Sequence, residues 1–566
     1  MDGQWDYSYD VVVIGSGAAG LTAALTARLR GLSVLVLEKT DKFGGTTSLS
    51  GGAIWIPGNL YLEHAGIGDT PQKARAYLDA TVGDRVPADR KAAYLRRGPE
   101  MVRFLHENTR YMRFEYTPGY SDYYPERPGG FGAGRSCEPS LFDLRLLGPH
   151  RARMRRAELP TYGMVMNSRE FHHVNMITRT WAGRRTAARI GTRLVRSLVT
   201  GARYAALGEA LAGRLRASLA DESGALWLDA PFRDLVVEDG RVTGVWALVD
   251  EREVVIEARH GVVLASGGFS RSRELRERYL PAPTDVRWTS APDGQTGDIL
   301  EASVRAGAAL DLMDKVWGMP TVVPPGEHPV FLVTDRAVPG MIIVNGAGRR
   351  YLNEALPYAE FTDRMYASDL PQARTVPSWM IIDSTTKNRY IMLNHFPGQP
   401  FKRQWLTSGF IRTGRTPEEL AAKAGLPPVA FRDAVDRFNQ LARAGRDTDF
   451  GRGDSAYDNY YGDPTLPNPN LAPLVKPPFY AIPLVPGDIG TKGGLVTDPL
   501  ARVLRADGSV IEGLYAAGNA SASVMGERYP GPGATIGPAM TFGYVAAAAI
   551  ADNAVAAAAR PVPVRV

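Results

Sequence analysis

Asp10-Val-Val-Val-Ile-Gly15-Ser16-Gly17-Ala-Ala19-Gly20 decides the fold. An apolar run reads as a buried strand, the glycines come at G-x-G-x-x-G spacing, and Leu21 to Arg30 carries a helical pattern. A second apolar run, Ser33 to Leu37, ends on Glu38 and Lys39. Each part has a physical task. Gly15 makes the tight turn, Gly17 lets main chain approach a pyrophosphate, Gly20 lets helix pack on strand, and Glu38 can accept ribose hydroxyls. Strand, helix and acid together make this a dinucleotide site rather than a structural glycine turn.

The segment after Glu38 separates NAD from FAD. Lys39-Thr-Asp-Lys-Phe-Gly44-Gly45-Thr46-Thr47-Ser-Leu-Ser50-Gly51-Gly52 is rich in small residues where NAD enzymes ordinarily carry helix. Such residues suit close approach of backbone and hydroxyls to pyrophosphate and isoalloxazine; a surface loop is the plain alternative. The segment resembles the flavin-contacting loop of the fumarate reductase and succinate dehydrogenase flavoprotein superfamily. The buried strand Gly261 to Ala265, ending Ala265-Ser-Gly267-Gly268, resembles that superfamily's return to the cofactor. Gln295-Thr296-Gly297-Asp298, with Thr296 as cap of a helix from Ile299 to Ala306, resembles its helix start beside the flavin. Near the C-terminus, Gly513 to Gly518-Asn519 reads as a strand ending on glycine. Tyr529-Pro-Gly-Pro-Gly533-Ala-Thr535-Ile536-Gly537 reads as a bent loop opening a last helix, Ala539 to Ala559, whose amides point at something negative or electron-rich. No Cys, His or Tyr stands out as a tether, so FAD is expected to bind non-covalently.

The bulk properties narrow the class. One cysteine, Cys137, leaves no intramolecular disulfide and no Cys-rich metal or iron-sulfur site, and the eight histidines show no metal spacing. The short polar N-terminus lacks a secretory pattern, and no transmembrane span is expected, which points to a cytoplasmic protein. The net charge of +6 is uneven. Between Arg145 and Arg203, arginines far outnumber Glu158 and Glu170 and interleave with Met164, Met166, Phe171, Trp181, Leu198 and Val199. Nucleic acid is disfavoured because that would call for Lys and a recognisable fold. A solvated or oligomer-contact helical face, and a basic amphipathic segment resting on anionic lipid at a membrane's inner face, both stay open.

Along the chain, Thr70 to Asn108 reads as amphipathic helices, and Leu226 to Val249 as paired strands turning at Asp239-Gly240. Proline-rich strands after residue 315, a strand at Pro377 to Asp383 and two helices within Thr416 to Ala442 read as a second unit. Tyr457 to Pro478 reads as an extended, proline-rich linker. The expected architecture is an α/β Rossmann-like FAD-binding domain, discontinuous, with an inserted α+β catalytic (capping) domain. Residues 1–314 form its first part, with an Arg-rich extension at about 145–205; residues 315–478 form the insert and 479–566 the second part.

A narrower resemblance rests on Thr46 to Pro57, Asp122-Tyr123-Tyr-Pro-Glu, Gly134-Arg-Ser, Arg350-Tyr-Leu-Asn-Glu-Ala-Leu-Pro-Tyr358 and Tyr529-Pro-Gly-Pro-Gly533-Ala-Thr-Ile-Gly-Pro. Together these resemble the FAD-dependent 3-ketosteroid 1-dehydrogenases nearly end to end. The Arg-rich segment resembles the extension of longer, sometimes membrane-associated members. The resemblance implies that Tyr358 removes a proton from C2, that Tyr123 supports it, and that the Tyr529 hydroxyl and Gly533 amide hold the 3-keto oxygen. It also implies an external electron acceptor. Tyrosine ionises near 10, so such a base needs hydrogen-bond donors around it. Two other readings compete: a 4-ene-forming (5α) ketosteroid dehydrogenase of the same architecture, and a non-catalytic flavin-containing membrane-surface protein. A fumarate or succinate enzyme would need Arg and His where these tyrosines stand.

Overall fold

The computed structural model describes residues 5–157 and 164–558. Glu158 of the Arg-rich segment and the tail from residue 559 lie outside the described residues.

The main sheet has eight strands. Its parallel heart runs Val510–Ala516, Arg252–Leu264, Tyr7–Ile14, Val34–Leu37, Ala225–Trp227, in that order. Val13 pairs Val36 on one side and Val263 on the other, and Val263 pairs Tyr515. Val11, Val12, Val13, Val36 and Val263 are fully buried, as a strand covered on both faces demands. Arg502–Leu504 extends one edge antiparallel. The hairpin Phe232–Glu238 with Arg241–Val249 forms as expected and lies on Arg252–Leu264. The expected strand at Leu226 is separate from that hairpin: Ala225–Trp227 pairs in parallel with Val34–Leu37. Because the central strands are parallel, the turns after Ile14, Leu37, Leu264 and Ala516 all open on one edge, where such sheets bind ligands.

The second sheet has six strands and is antiparallel: Val330–Phe331, Val316–Val322, Phe479–Thr491, Ser378–Ile382 and Met341–Val344, with Arg412–Gly414 also on Phe479–Thr491. Helix Tyr358–Ala367 packs against Val316–Val322. A three-stranded sheet of Ile54–Trp55, Ser136–Pro139 and Phe114–Tyr116 ties the segment after Gly52 to the Tyr120–Arg135 loop.

Several local expectations are corrected. The Gly/Thr/Ser segment is not all loop: Gly45–Leu49 is a short helix entered from Gly44 at φ 111°. Helix Asp298–Arg305 is preceded by Gly297 with no side-chain cap; Thr296 instead donates to the Asp298 carboxylate and accepts from Lys39 Nζ at 2.5 Å. The supposed linker contains helix Ala456–Tyr460 and the buried Tyr457 and Tyr461. The last helix starts earlier, at Ile536, and Ile536–Ala558 is apolar and long enough to cross a membrane by composition. Most of it is buried, packed on Ala18–Leu29 and Ala88–Asn108 inside the core.

The Arg-rich segment forms helices Ser168–Asn175, closed by an Asn167/Glu170 capping box, and Trp181–Thr200. Acids from elsewhere offset part of its charge: Arg179 meets Asp463 at 2.8 Å and Arg156 meets Glu209 at 3.0 Å, while Arg193 meets Glu170 at 2.6 Å. Only Gly183, Thr186 and Ile190 of the long helix are buried, and Trp181, Leu198 and Val199 are at least 75% exposed.

Candidate active site

One cavity of about 510 Å³ runs from the open edge of the parallel sheet to the second sheet. At the first end it is lined by Gly15, Ser16, Gly17, Ala19, Glu38 and Lys39, then by Gly45, Thr46, Thr47, Ser50, Gly51 and Gly52. Ala265, Gly267, Asp298, Gly518, Asn519, Thr535 and Ile536 also line it. Thus all the expected cofactor residues meet there except Gly20 and Gly44, which lie behind the wall. A Cβ on Gly20 would sit 1.9 Å from the Gly15 carbonyl, the close helix-strand contact its place in the motif implies.

The cradle is built for main chain. Gly15 has φ 105°, and a Cβ there would stand 2.5 Å from the Ala265 carbonyl. The Glu38 carboxylate accepts from Ser16 Oγ at 2.6 Å and from Thr40 N at 3.0 Å, and Thr47 Oγ1 accepts from Ala18 N at 2.9 Å. These contacts brace the first turn. Gln295, at the head of the segment expected beside the flavin, donates from Nε2 to Thr46 Oγ1 at 2.5 Å, while its Oε1 is buried in the cavity wall without a partner among the described residues. Small residues, a pyrophosphate turn and an unmatched acceptor fit a flavin dinucleotide.

Beyond the cradle the lining turns aromatic. Tyr358 opens its helix after Pro357, and Tyr123 donates its hydroxyl hydrogen to the Tyr358 oxygen at 2.5 Å. The two rings meet edge-on at 5.2 Å, and Tyr529 lies 5.1 Å from each. Residues far apart in the chain therefore share one small space. Tyr123, not Tyr124, makes the contact: Tyr124 carries the Arg127 guanidinium over its ring at 4.5 Å and is not in the cavity wall.

Three contacts from distant parts of the chain set the Tyr529 loop. Tyr123 N donates to Pro530 O at 2.9 Å, Tyr77 OH donates to the same carbonyl at 2.6 Å, and Ser136 Oγ donates to Pro532 O at 2.6 Å. Lys492 Nζ donates to the Glu527 and Arg528 carbonyls at 2.7 and 2.8 Å and lies 4.5 Å from the Trp317 ring centroid. Trp317 in turn packs edge-on against Tyr529 at 4.8 Å and donates to Asn519 Oδ1 at 3.1 Å. Gly533, at φ 93°, would put a Cβ 2.4 Å from the Ala53 carbonyl. Behind Tyr123, Arg135 is fully buried between Asp69, at 2.9 Å, and Asp122. Trp55 Nε1 donates to the same Asp122 at 2.8 Å.

Electrostatics within the cluster oppose ionisation. Burial pushes the Tyr358 phenol well above its ordinary value, Tyr529, Tyr120 and Tyr457 push the same way, and the Tyr123 hydrogen bond pulls it down. Burial also raises Tyr529, opposed by hydrogen bonds from Thr535, Tyr358 and the Gly533 amide. Burial pulls the Lys492 ammonium below the lysine range, with Asp363 opposing. The site residues missed in the sequence include Tyr120, Tyr461, Met319 and the Pro329 to Asp335 wall, with Tyr457 and Trp317 packed on the tyrosines. The only signal for Tyr457 and Tyr461 was a local tyrosine cluster inside a proline-rich stretch.

Comparison with known proteins defines the class first. A family model described as an FAD binding domain matches residues 10–536, and the molecule is a flavoprotein whose dinucleotide is FAD. The chain is 47% identical to 3-oxosteroid 1-dehydrogenase of Mycolicibacterium smegmatis over 563 residues, covering 97% of this chain and 98% of that one. It is 46% identical to the enzyme of the same name from Mycobacterium tuberculosis, covering 96% and 99%. The crystal structure of 3-ketosteroid delta1-dehydrogenase from Sterolibacterium denitrificans, in complex with 1,4-androstadiene-3,17-dione, matches with a TM-score of 0.92 at 41% identity, covering 96% of this chain and 100% of that one. The chain belongs to the 3-oxosteroid 1-dehydrogenase family.

Proposed function

We propose that the protein is an FAD-dependent oxidoreductase that introduces a C1-C2 double bond into 3-ketosteroids. The observation that carries this reading is the convergence of Tyr123, Tyr358, Tyr529 and Gly533 in the cavity that also contains the dinucleotide cradle. Tyr358, as the tyrosinate, takes the proton from C2; Tyr123 donates to that oxygen and stabilises its charge. The Tyr529 hydroxyl and Gly533 amide donate to the 3-keto oxygen as enolate charge develops there. FAD supplies the acceptor for the hydride leaving C1, at N5. The balance is one proton to Tyr358, one hydride to the flavin, and a new C1-C2 double bond in the steroid. An external acceptor takes the two electrons afterwards.

The residues proposed to hold FAD are those of the cradle, from Gly15 to Gly52 with Ala265, Gly267, Gln295, Asp298, Gly518, Asn519, Thr535 and Ile536. The parallel sheet is proposed as the Rossmann-like FAD-binding part and the antiparallel sheet as the catalytic cap. In that division the strand Phe479–Thr491, whose ladders lie in the second sheet apart from a bridge from Asp488 to Thr289, moves the far boundary from 478 to about 491. A cytoplasmic location, with helix Trp181–Thr200 resting on anionic lipid at the membrane's inner face, completes the proposal; its exposed Trp181, Leu198 and Val199 support it.

Anaerobic titration with a 4-ene-3-ketosteroid tests the activity. The expected result is stoichiometric bleaching of the flavin and a 1,4-diene product. No bleaching would leave a binding protein, and a new double bond elsewhere than C1-C2 would overturn the regiochemistry.

A further inference from the structure

Arg336 is a buried charge to which the proposed chemistry gives no role. It is 1% exposed, and among the described residues its hydrogen bonds go to three main-chain carbonyls and a phenol rather than to a carboxylate. Nε donates to Leu332 O at 2.9 Å, Nη1 to Glu354 O at 2.9 Å and also to Leu356 O, and Nη2 to Tyr457 OH at 3.1 Å. Two of these carbonyls lie just before Pro357-Tyr358. The guanidinium carbon stands 6.0 Å from the Tyr358 ring centroid, and Tyr457, whose hydroxyl it holds, packs 4.6 Å from Tyr123. One side chain therefore fixes the turn carrying the proposed base, faces that base's ring, and seats the aromatic behind the base's hydrogen-bond donor.

We infer that Arg336 is a positioning residue whose buried positive charge favours the ionised form of Tyr358 and so sets the pH at which the enzyme works. The inference rests on the reading of Tyr358 as the base. Its physical ground is that a phenol among other phenols, out of water, resists ionisation, and a fixed cation 6.0 Å from its ring centroid favours the phenolate in such a medium. Two buried acids oppose it, since Asp335 and Asp458 each feel the Arg336 charge, which pulls their carboxyls down against burial. Toward Tyr358 stand the neutral phenols Tyr120, Tyr123, Tyr457 and Tyr529, with Glu360 and Asp363 on its own helix and Lys492 toward Asp363. Near Arg336, Asp335 accepts from Leu393 N at 2.6 Å and is pushed by burial up to about 6. Asp458 accepts from Asn353 and Gly453 N and is raised by burial. Glu354 is taken by Arg350 at 2.7 Å and Arg452 at 3.2 Å. The Tyr457 phenol, directly hydrogen-bonded to Arg336, is raised by burial to about 12 with Arg336 pulling it down.

The test is the pH dependence of flavin reduction by a 4-ene-3-ketosteroid, followed anaerobically in the FAD-loaded enzyme, for wild type, Arg336→Gln, Arg336→Lys and Tyr358→Phe. The base must be unprotonated, so the rate rises with pH through its ionisation. Removing a cation raises that ionisation and moves the rise to higher pH. Arg336→Gln, which keeps donors for the carbonyls, should displace the rise upward by at least about one unit, roughly tenfold in rate on the slope, with the plateau recovered at high pH. Arg336→Lys should fall between it and wild type. A wild-type profile in Arg336→Gln, or an equal loss at every pH that Arg336→Lys does not rescue, would overturn the inference. Should Arg336→Gln not fold with FAD, the neutral Arg336→Met decides in its place: a rise displaced upward with an intact plateau supports the charge role, and an unmoved rise refutes it. Near-wild-type turnover in Tyr358→Phe would instead remove the base reading itself.

Discussion

A tyrosine as deeply buried as Tyr358 is a weak base in the wrong place unless its neighbours donate to it, and the structure provides one such donor in contact, Tyr123. Tyr358→Phe is expected to slow flavin reduction by at least about 100-fold while FAD stays bound, as loss of a general base does. Tyr529→Phe is expected to cost about 10²- to 10³-fold, the scale of losing one donor to a developing oxyanion, and to weaken the binding of phenolic steroid analogues. Rapid-reaction measurements check both, because each should affect the reductive half-reaction and neither the reoxidation of reduced flavin by an artificial acceptor. Since burial raises Tyr358, flavin reduction should increase with pH across the neutral range, and Tyr123→Phe should push that increase to still higher pH.

At the scale of elements, the loop from Tyr529 to Gly533 is held by Tyr77, Tyr123 and Ser136 from distant parts of the chain, and Lys492 fixes the Glu527 and Arg528 carbonyls just before it. Gly533→Ala would drive a methyl into the Ala53 carbonyl at an unfavourable φ, and should yield protein with displaced Tyr529 and at least about tenfold lower turnover. Arg135→Met leaves Asp69 and Asp122 buried without their cation and should destabilise the fold by about 3–5 kcal/mol, read as a lower urea midpoint. These same elements show what was legible beforehand. The glycine turn, the hairpin at Asp239-Gly240 and the paired helices of Thr416 to Ala442 are local patterns, and each appears where its pattern lies. Tyr123, Tyr358 and Tyr529 were found through short motifs, not periodicity. Tyr457 and Arg336 escaped because their partners are far away in sequence. Prolines hid the one-turn helix carrying Tyr457, and nothing near Arg336 marks it as buried. Thr296 looked like a cap because its spacing suited one, but the Lys39 ammonium and Asp298 carboxylate claim its hydroxyl.

The whole molecule joins a cavity to a surface. Helix Ser168–Asn175 puts Ser168 and Phe171 in the cavity wall, and its His172 stacks on Tyr460, itself stacked on Tyr120 at 4.4 Å. The next helix carries the exposed Trp181, Leu198 and Val199. On the proposed lipid-facing role, replacing Trp181, Leu198 and Val199 by Ser should abolish co-sedimentation with vesicles containing phosphatidylglycerol and leave turnover of a detergent-free, soluble steroid unchanged. Unchanged co-sedimentation would return this helix to an ordinary solvated face.

Because the cavity wall and that exposed apolar face are built by consecutive helices, the concentration that governs catalysis would be the steroid's mole fraction in the bilayer. At constant total steroid and fixed enzyme, adding empty anionic vesicles should then slow turnover by diluting substrate within the surface phase, and the rate should collapse onto one curve when plotted against steroid per lipid. In the triple Ser variant the same data should order instead by free aqueous steroid.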